Sequence, residues 1–136
     1  MGNEESTCLE HVNVIVVGKT GCGKSTLINA VFKEELAKTG IGEPITDKIT
    51  CYTKPESEYS IYDSPGIQID PKQPKRLKND IINLIREKYK TKDINNFIHC
   101  IWYCFDAESR RIDFIEKDFV NSLSKKISSM SYIQHK

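Results

Sequence analysis

A glycine-rich segment between an apolar run and a helical pattern constrains the fold of this chain more than any other feature. Residues 11–18, HVNVIVVG, are rich in β-branched side chains and end in glycine, which is typical of a buried strand. In residues 24–36, KSTLINAVFKEEL, the apolar side chains recur at helical spacing. A strand that leads through glycines directly into a helix is the first half of a βαβ unit. The segment therefore predicts an α/β fold.

Strand and helix patterns alternate through most of the remaining chain. Residues 59–66, YSIYDSPG, predict a second buried strand, and 97–105, FIHCIWYCF, predict a parallel strand covered on both faces. Residues 37–58 offer only the short run ITCYT as a candidate edge strand. Two amphipathic helices are marked by Leu77, Ile81, Leu84, Ile85 and Tyr89, and by Ile112, Ile115, Phe119, Leu123 and Ile127. We expect a three-layer sandwich in which helices cover both faces of a mostly parallel sheet.

Length and composition favour one domain in a reducing compartment. The chain has 136 residues, a formal net charge of +1 and no strong signal for nucleic-acid binding. We divide it into a flexible segment (1–10), the domain (11–127) and a tail (128–136). The start lacks the basic and apolar regions of a secretory signal, so we expect a cytoplasmic protein. Its five cysteines are odd in number and contain no CxxC pair, so we interpret them as reduced thiols, and no His/Cys cluster has the spacing of a zinc site.

The segment Gly18–Ser25, GKTGCGKS, matches the phosphate-binding pattern GxxxxGK[ST] in full. Glycines allow backbone N–H groups to turn toward phosphate oxygens, and the helix that follows adds the positive end of its dipole. Lys24 is expected to bridge the β- and γ-phosphates, and the Ser25 hydroxyl to coordinate Mg²⁺. The predicted nucleotide-binding residues of this segment are Gly18, Thr20, Gly21, Cys22, Gly23, Lys24, Ser25 and Thr26.

A second motif, YDSPG, lies at the end of the next predicted buried strand. It places Asp63 at the strand end and Gly66 three residues later. A carboxylate at this position can hold Mg²⁺, and the Gly66 N–H can reach the γ-phosphate. Such a motif carries little weight alone, but it is strong when it follows a phosphate cradle.

Together these motifs resemble those of P-loop GTPases, in particular the Era-like and ribosome-assembly-type domains. The resemblance rests on GKTGCGKSTLINAVF, on GIGEPIT and on YDSPGI, and it covers residues 11 to about 127. It implies GTP or GDP as the ligand and Mg²⁺ as the cofactor. It also implies that Lys24 and Thr46 act in catalysis, and that Ser25, Thr46 and Asp63 hold the metal.

The sequence departs from that family in two places. A Ras-like catalytic glutamine would follow Gly66, but Ile67 stands there, so we expect slow GTP hydrolysis. The guanine-reading (N/T)KxD and SAK motifs have no match; TKD at 91–93 and SKK at 124–126 are interpreted as solvated charge. The resemblance is therefore to a GTPase domain truncated before its guanine-reading motif, and guanine itself is implied by resemblance alone. Two alternatives remain open: a non-hydrolysing nucleotide-binding or interaction module, and a P-loop ATPase.

Weaker signals concern partners and membranes. The start MGNEES fits the N-myristoylation pattern at Gly2, and Cys8 is a candidate for palmitate, so membrane association is one expectation. Residues 72–92 are rich in Lys and Arg, which we interpret mainly as the solvated face of a helix. A homodimer near Arg110 and Arg111, or a protein partner that completes the site, is expected only by analogy.

Overall fold

The computed structural model describes residues 8–19, 22–34, 42–44, 48–67, 72–105 and 114–134, with backbone alone at 43–44 and 131–134. The strands are β1 (Val12–Gly18), β2 (Glu43–Pro44), β3 (Thr50–Thr53), β4 (Tyr59–Asp63) and β5 (Ile98–Cys104). The helices are α1 (Lys24–Phe32), α2 (Lys72–Tyr89) and α3 (Phe114–Gln134). Of the helices described, none has the length and apolar character needed to cross a membrane.

The strands form one mixed sheet in the order β2-β3-β4-β1-β5. The strand β1 is parallel to both β4 and β5, whereas β3 is antiparallel to β4 and to β2. The most apolar strand, β1, lies inside the sheet between β4 and β5, and its residues Val14 through Val17 are all buried. This arrangement confirms the expected parallel core of the sheet.

Helices cover both faces of the sheet, which confirms the three-layer α/β sandwich. On one face Ile28 and Phe32 of α1 pack in a cluster with Val14, Val16 and Ile61. The other face carries a larger cluster that joins β1 to both α2 and α3. Its buried members include Ile15, Val17, Tyr62, Leu77, Ile81, Leu84, Ile85, Phe119, Leu123 and Met130. The helical spacing in the sequence therefore identified the buried faces of the described helices correctly, whereas Ile112 lies outside the described residues.

Two strand predictions need correction. The strand β5 pairs with β1 alone within the described residues, and Cys100 and Trp102 are exposed, so it is not covered on both faces. The short helix α1 packs over β1 and β4 and leaves these side chains in contact with solvent. The strand β3 lies inside the sheet, because the two-residue strand β2 pairs on its outer side. A strand of two residues is too short to show the alternation of apolar and polar side chains by which a sequence reveals a strand.

Two helix ends also differ from the prediction. The helix α1 ends at Phe32, because Lys33 adopts a left-handed conformation at φ 58° and the Glu34 N–H donates to the Asn29 carbonyl. The helix α3 extends to Gln134, and Met130 is buried, so residues 128–134 continue the helix where we expected a tail. The sequence did not predict this continuation because residues 128–134, SSMSYIQ, are rich in serine and show no clear apolar spacing.

A network of hydrogen bonds holds the beginning of β1, at the end of the strand away from the glycine-rich segment. The buried Asn13 amide donates to the carbonyls of Asn95 and Phe97 at 2.8 and 2.9 Å, and its backbone N–H donates to His99 Nδ1 at 2.9 Å. The Asp93 carboxylate accepts from the Asn95 N–H at 3.0 Å. The TKD segment thus forms the turn after α2, at the end of the sheet away from the glycine-rich segment.

Candidate nucleotide site

The carboxyl ends of three parallel strands meet at one edge of the sheet, where β1 leads toward α1. Val16 of β1 is paired with Asp63 of β4, and Gly18 is paired with Cys104 of β5. Ligands of open α/β sheets bind outside this edge, near a point where strand order reverses. Because β1 lies between its two parallel neighbours, the glycine-rich segment leaves the sheet at such a point.

The helix α1 begins at this edge without a side chain that caps it. Its N-cap residue is Gly23, which has φ 99° and makes no side-chain hydrogen bond, and its first turn contains no acidic residue. The first N–H groups of a helix have no intrahelical acceptor, and they lie at the positive end of the dipole. An anion such as phosphate is the ligand that such an uncapped start favours.

The backbone carbonyl of Gly18 joins the two predicted motifs. It accepts a hydrogen bond from Lys24 Nζ at 3.3 Å and another from the Ile67 N–H at 2.9 Å. Lys19 and Ile67 also form an isolated parallel bridge. The Lys24 side chain is therefore held over the glycine-rich segment, and the chain after Asp63 is fastened to the same point.

Glycine is required at position 18 because its neighbours leave no room for a side chain. A Cβ placed there would lie 2.6 Å from Cys22 Sγ and 2.8 Å from the backbone carbonyl oxygen of Cys104. The thiol can rotate away, whereas the carbonyl belongs to the paired strand β5 and cannot move without distorting the sheet. Gly18 therefore lets β1, β5 and the cradle approach one another closely.

Asp63 presents a carboxylate with unmet hydrogen-bonding capacity. Its Oδ1 atom is buried and accepts no hydrogen bond from any residue that the structure describes. Burial raises the pKa of the Asp63 carboxyl above its usual range, and the nearby charge of Lys24 opposes that rise. A buried carboxylate oxygen without a donor is the group that a hard divalent cation would satisfy. The residues present therefore fit the Mg²⁺ ion that the sequence implies.

The residues after Asp63 are held in place by hydrogen bonds to neighbouring backbone. The Ser64 hydroxyl donates to the Val16 carbonyl at 2.7 Å, and the Gln73 side-chain amide donates to the Gly66 carbonyl at 3.2 Å. Ile67 is 3% exposed and belongs to the larger core cluster. It therefore fills a structural position, and its side chain cannot contact a water at the site.

The structure brings together part of the predicted site. Gly18, Lys24 and Asp63 lie at one edge, with Ser25 and Thr26 exposed on the first turn of α1. Cys22, Gly23 and Gly66 are also described there. Four predicted residues lie outside the described residues: Gly2, Thr20, Gly21 and Thr46. Their roles, like those of Arg110 and Arg111, stay predictions.

Three residues near the site were missed by sequence reasoning. Ser64 is buried and bonded to β1, and Cys104 lies against Gly18. The pKa of the Tyr52 phenol is raised by burial and, in addition, by the charge of Asp63. Each of these contacts crosses between strands. Only the pairing of β1 with β4 and β5, and of β3 with β4, could have revealed them, and the sequence did not specify those pairings residue by residue.

Comparisons with known proteins identify this combination of fold and motifs. A family model described as "50S ribosome-binding GTPase" matches residues 13–134. Human Septin-9 is 26% identical over 144 residues, a match that covers 89% of this chain and 25% of the relative. Zebrafish (Danio rerio) Neuronal-specific septin-3 is 22% identical over 144 residues, covering 89% of this chain and 40% of the relative.

A bacterial relative is equally distant. GTPase Der of Buchnera aphidicola is 26% identical over 125 residues, and the match covers 86% of this chain and 25% of that protein. The chain thus spans only a quarter to two-fifths of the length of these relatives. The similarity extends over nearly all of this chain, from β1 through α3.

Proposed function

The chain belongs to the P-loop GTPase family whose model is described as "50S ribosome-binding GTPase", and we propose that it is a GTP-binding switch domain. It binds a guanine nucleotide together with Mg²⁺ at the carboxyl end of β1 and hydrolyses GTP slowly. The proposal rests on one observation above all. A buried, unsatisfied carboxylate oxygen of Asp63 lies within electrostatic reach of Lys24, at the edge where an uncapped helix begins.

Each residue has a separate task in this proposal. The Lys24 ammonium binds phosphate oxygens, as do the backbone N–H groups at the start of α1. The Ser25 hydroxyl and the Asp63 carboxylate hold the metal, together with Thr46 if the family resemblance carries over. Bound Mg²⁺ would neutralise charge on the phosphates and hold them in a fixed orientation.

Slow hydrolysis follows from the residue at position 67, where a Ras-like GTPase carries its catalytic glutamine. The side chain of Ile67 is buried, and its backbone N–H is committed to Gly18, so it offers no polar group to orient a water. Without such a group we place the intrinsic rate below about 10⁻² per second. A partner, or a homodimer that completes the site, is the proposed source of faster turnover.

The location of the protein is a separate part of the proposal. We propose a cytoplasmic protein that associates with membranes when Gly2 is acylated. The cations of α2 give that association limited help, because Lys78 donates to Ser122 at 2.7 Å and Lys88 lies 5.6 Å from the centre of the Tyr62 ring. The other cations of the helix face solvent.

A thermal-shift comparison tests binding and separates the alternatives. A ligand that binds only the folded state raises the unfolding temperature, so the chain is heated with Mg-GTP, with Mg-ATP and without nucleotide. Stabilisation by Mg-GTP that is lost on adding a chelator supports the proposal, and Mg-ATP should stabilise the chain to a similar degree because the guanine-reading motifs have no match. Stabilisation by Mg-ATP alone would favour an ATPase, and no stabilisation by either nucleotide would favour an interaction module that binds none.

A further inference from the structure

Two cysteine side chains lie next to each other beside the nucleotide site. The space over Gly18 is filled by Cys22 Sγ, which is 2.6 Å from the position a Cβ would take there, and Cys104 Cβ is 3.2 Å from the same point. Both cysteines are free and partly exposed. One belongs to the glycine-rich segment and the other to the end of β5, so the pair joins the phosphate cradle to the sheet.

The Cys22 thiol also affects the Cys104 thiol directly. Burial raises the pKa of the Cys104 thiol, and Cys22 raises it further through its charge and through a side-chain hydrogen bond. The other cysteines are placed differently. Cys8 and Cys100 are exposed, and Cys51 is buried in β3. Among the described residues, only the pair on either side of Gly18 combines proximity with access to solvent.

We propose that Cys22 and Cys104 form a reversible disulfide in the presence of a peroxide, and that this bond weakens nucleotide binding. The first half of the proposal concerns the thiols alone. Its second half rests on the proposed nucleotide site.

The chemistry needs only the two thiols and one peroxide. The Cys22 thiolate attacks a peroxide oxygen, the O–O bond breaks, and Cys22 becomes a sulfenic acid as one water (or an alcohol, from an organic peroxide) leaves. The sulfur of Cys104 then attacks the Cys22 sulfur, the S–O bond breaks, and a second water leaves. Both thiol protons end in these products, and the two electrons reduce the peroxide. Cys104 is the resolving thiol because its raised pKa disfavours its thiolate.

The bond would act on the cradle through the backbone of Cys22. In this structure the Cys22 N–H donates to the Lys19 carbonyl at 3.1 Å, inside the glycine-rich segment. A phosphate cradle instead needs its N–H groups turned toward the ligand. A disulfide to β5 would hold Cys22 in the present conformation, so the binding-competent fraction of the chain falls. The apparent dissociation constant rises in inverse proportion to that fraction, and we expect a rise of about tenfold.

Peptide mapping tests the bond without any nucleotide. The chain is treated with hydrogen peroxide, blocked with N-ethylmaleimide and digested with trypsin without reductant. The expected product joins peptide 20–24 to peptide 93–110. Its mass equals the sum of the two peptides less two hydrogen atoms. Because 93–110 also contains Cys100, the Cys100→Ser variant makes the assignment unique and should still give the product. The Cys104→Ser variant should not, and Cys104→Ala replaces it if circular dichroism shows that it has not folded.

Nucleotide titration of the same samples tests the consequence. Oxidised chain should bind Mg-GTP about tenfold more weakly than reduced chain, dithiothreitol should restore the affinity, and Cys104→Ser should show no difference between the two conditions. A linkage through Cys100, or no linkage in a folded chain, overturns the thiol pair. A correct linkage with unchanged affinity overturns the switch. If the disulfide forms but the reduced chain binds no nucleotide, the proposed function fails while the thiol pair stands.

Discussion

The Asp63 carboxylate is buried within electrostatic reach of the Lys24 ammonium at the carboxyl end of β1. Burial raises the pKa of Asp63, and the charge of Lys24 lowers it again. The Lys24 ammonium meanwhile donates to the Gly18 carbonyl at 3.3 Å, while Asp63 Oδ1 has no donor among the described residues. The two charges thus interact at this edge, and Asp63 Oδ1 keeps a bonding capacity that the proposed divalent cation would satisfy.

Replacing Lys24 tests the phosphate half of this site. Charge-assisted hydrogen bonds contribute about 1.5–3 kcal/mol each, so Lys24→Ala should weaken Mg-GTP binding by up to about 100-fold. Fluorescence titration gives the affinity, and circular dichroism checks that the fold is kept. The matched control is Lys125→Ala within α3, which removes an exposed lysine outside the predicted site and should bind normally. Equal affinity for all three proteins would remove the basis for a phosphate cradle at Lys24.

Replacing Asp63 should make the nucleotide-free chain more stable at neutral pH. The pKa of Asp63 is raised in the folded state, so the native chain binds its proton more tightly than the unfolded chain does. Stability therefore falls as the pH rises from the ordinary value of 3.8 through the raised pKa. Asp63→Asn removes this loss, and urea unfolding at pH 7 should show a higher midpoint than in wild type.

The same comparison at low pH provides the check on sign. Below 3.8 the carboxyl is protonated in both states, and the advantage of Asp63→Asn should shrink. The exposed carboxylate of Asp118 on α3 supplies the control, since Asp118→Asn should change the midpoint little at either pH. If Asp63→Asn is less stable than wild type at pH 7, burial is not the cause of the raised pKa of Asp63.

Introducing the Ras-like glutamine should not create a fast GTPase. Ile67 is 3% exposed, so Ile67→Gln buries an amide and should cost about 2–3 kcal/mol of unfolding free energy. The side chain points into the core, and single-turnover hydrolysis should stay as slow as in wild type. Ile67→Val, which should cost about 1 kcal/mol, controls for packing alone. A glutamine variant that is fully stable and hydrolyses GTP faster would show that this position faces the phosphates.

The 136-residue chain should discriminate poorly between GTP and ATP. Sites that read a base through hydrogen bonds reject analogues by about 10⁴-fold, because the wrong base leaves polar groups unpaired. The segments that most resemble guanine readers are in the wrong places: residues 91–93 follow α2 at the far end of the sheet, and 124–126 lie within α3. Competition binding should find the two affinities within about tenfold. A strong preference for guanine would mean that an unrecognised residue, or a partner, reads the base.

The glycine-rich segment and the strands β1 and β4 could be predicted because their sequence signals are local. Spacing of apolar residues marks β1, β4 and the buried face of α2, and the motifs mark Lys24 and Asp63. The exposure of Trp102 could not be predicted, since it depends on which strands lie beside β5. The continuation of α3 to Gln134 depends in the same way on Met130 finding a place in the core.

The contacts around Gly18 show most clearly where a sequence stops being informative. Its glycine fits a phosphate-binding pattern, and that pattern says nothing of the strand on the other side. In the structure, position 18 must also be glycine because the backbone carbonyl of Cys104, 86 positions away in the chain, leaves no room for a Cβ. The hydrogen bond from the Ile67 N–H to the Gly18 carbonyl is another long-range contact. Such relationships are set by strand register, which local patterns leave undetermined.

Titration of GTP at two magnesium concentrations tests the central claim most directly. Wild type and Asp63→Asn are each titrated in a calorimeter, once with excess Mg²⁺ and once with a chelator. If Asp63 holds the metal beside the nucleotide, wild-type affinity should fall by about tenfold or more when Mg²⁺ is removed. Asp63→Asn should bind GTP with nearly the same, weaker affinity under both conditions. Equal dependence on Mg²⁺ in the two proteins would contradict the account, because the metal would then be held without the buried carboxylate.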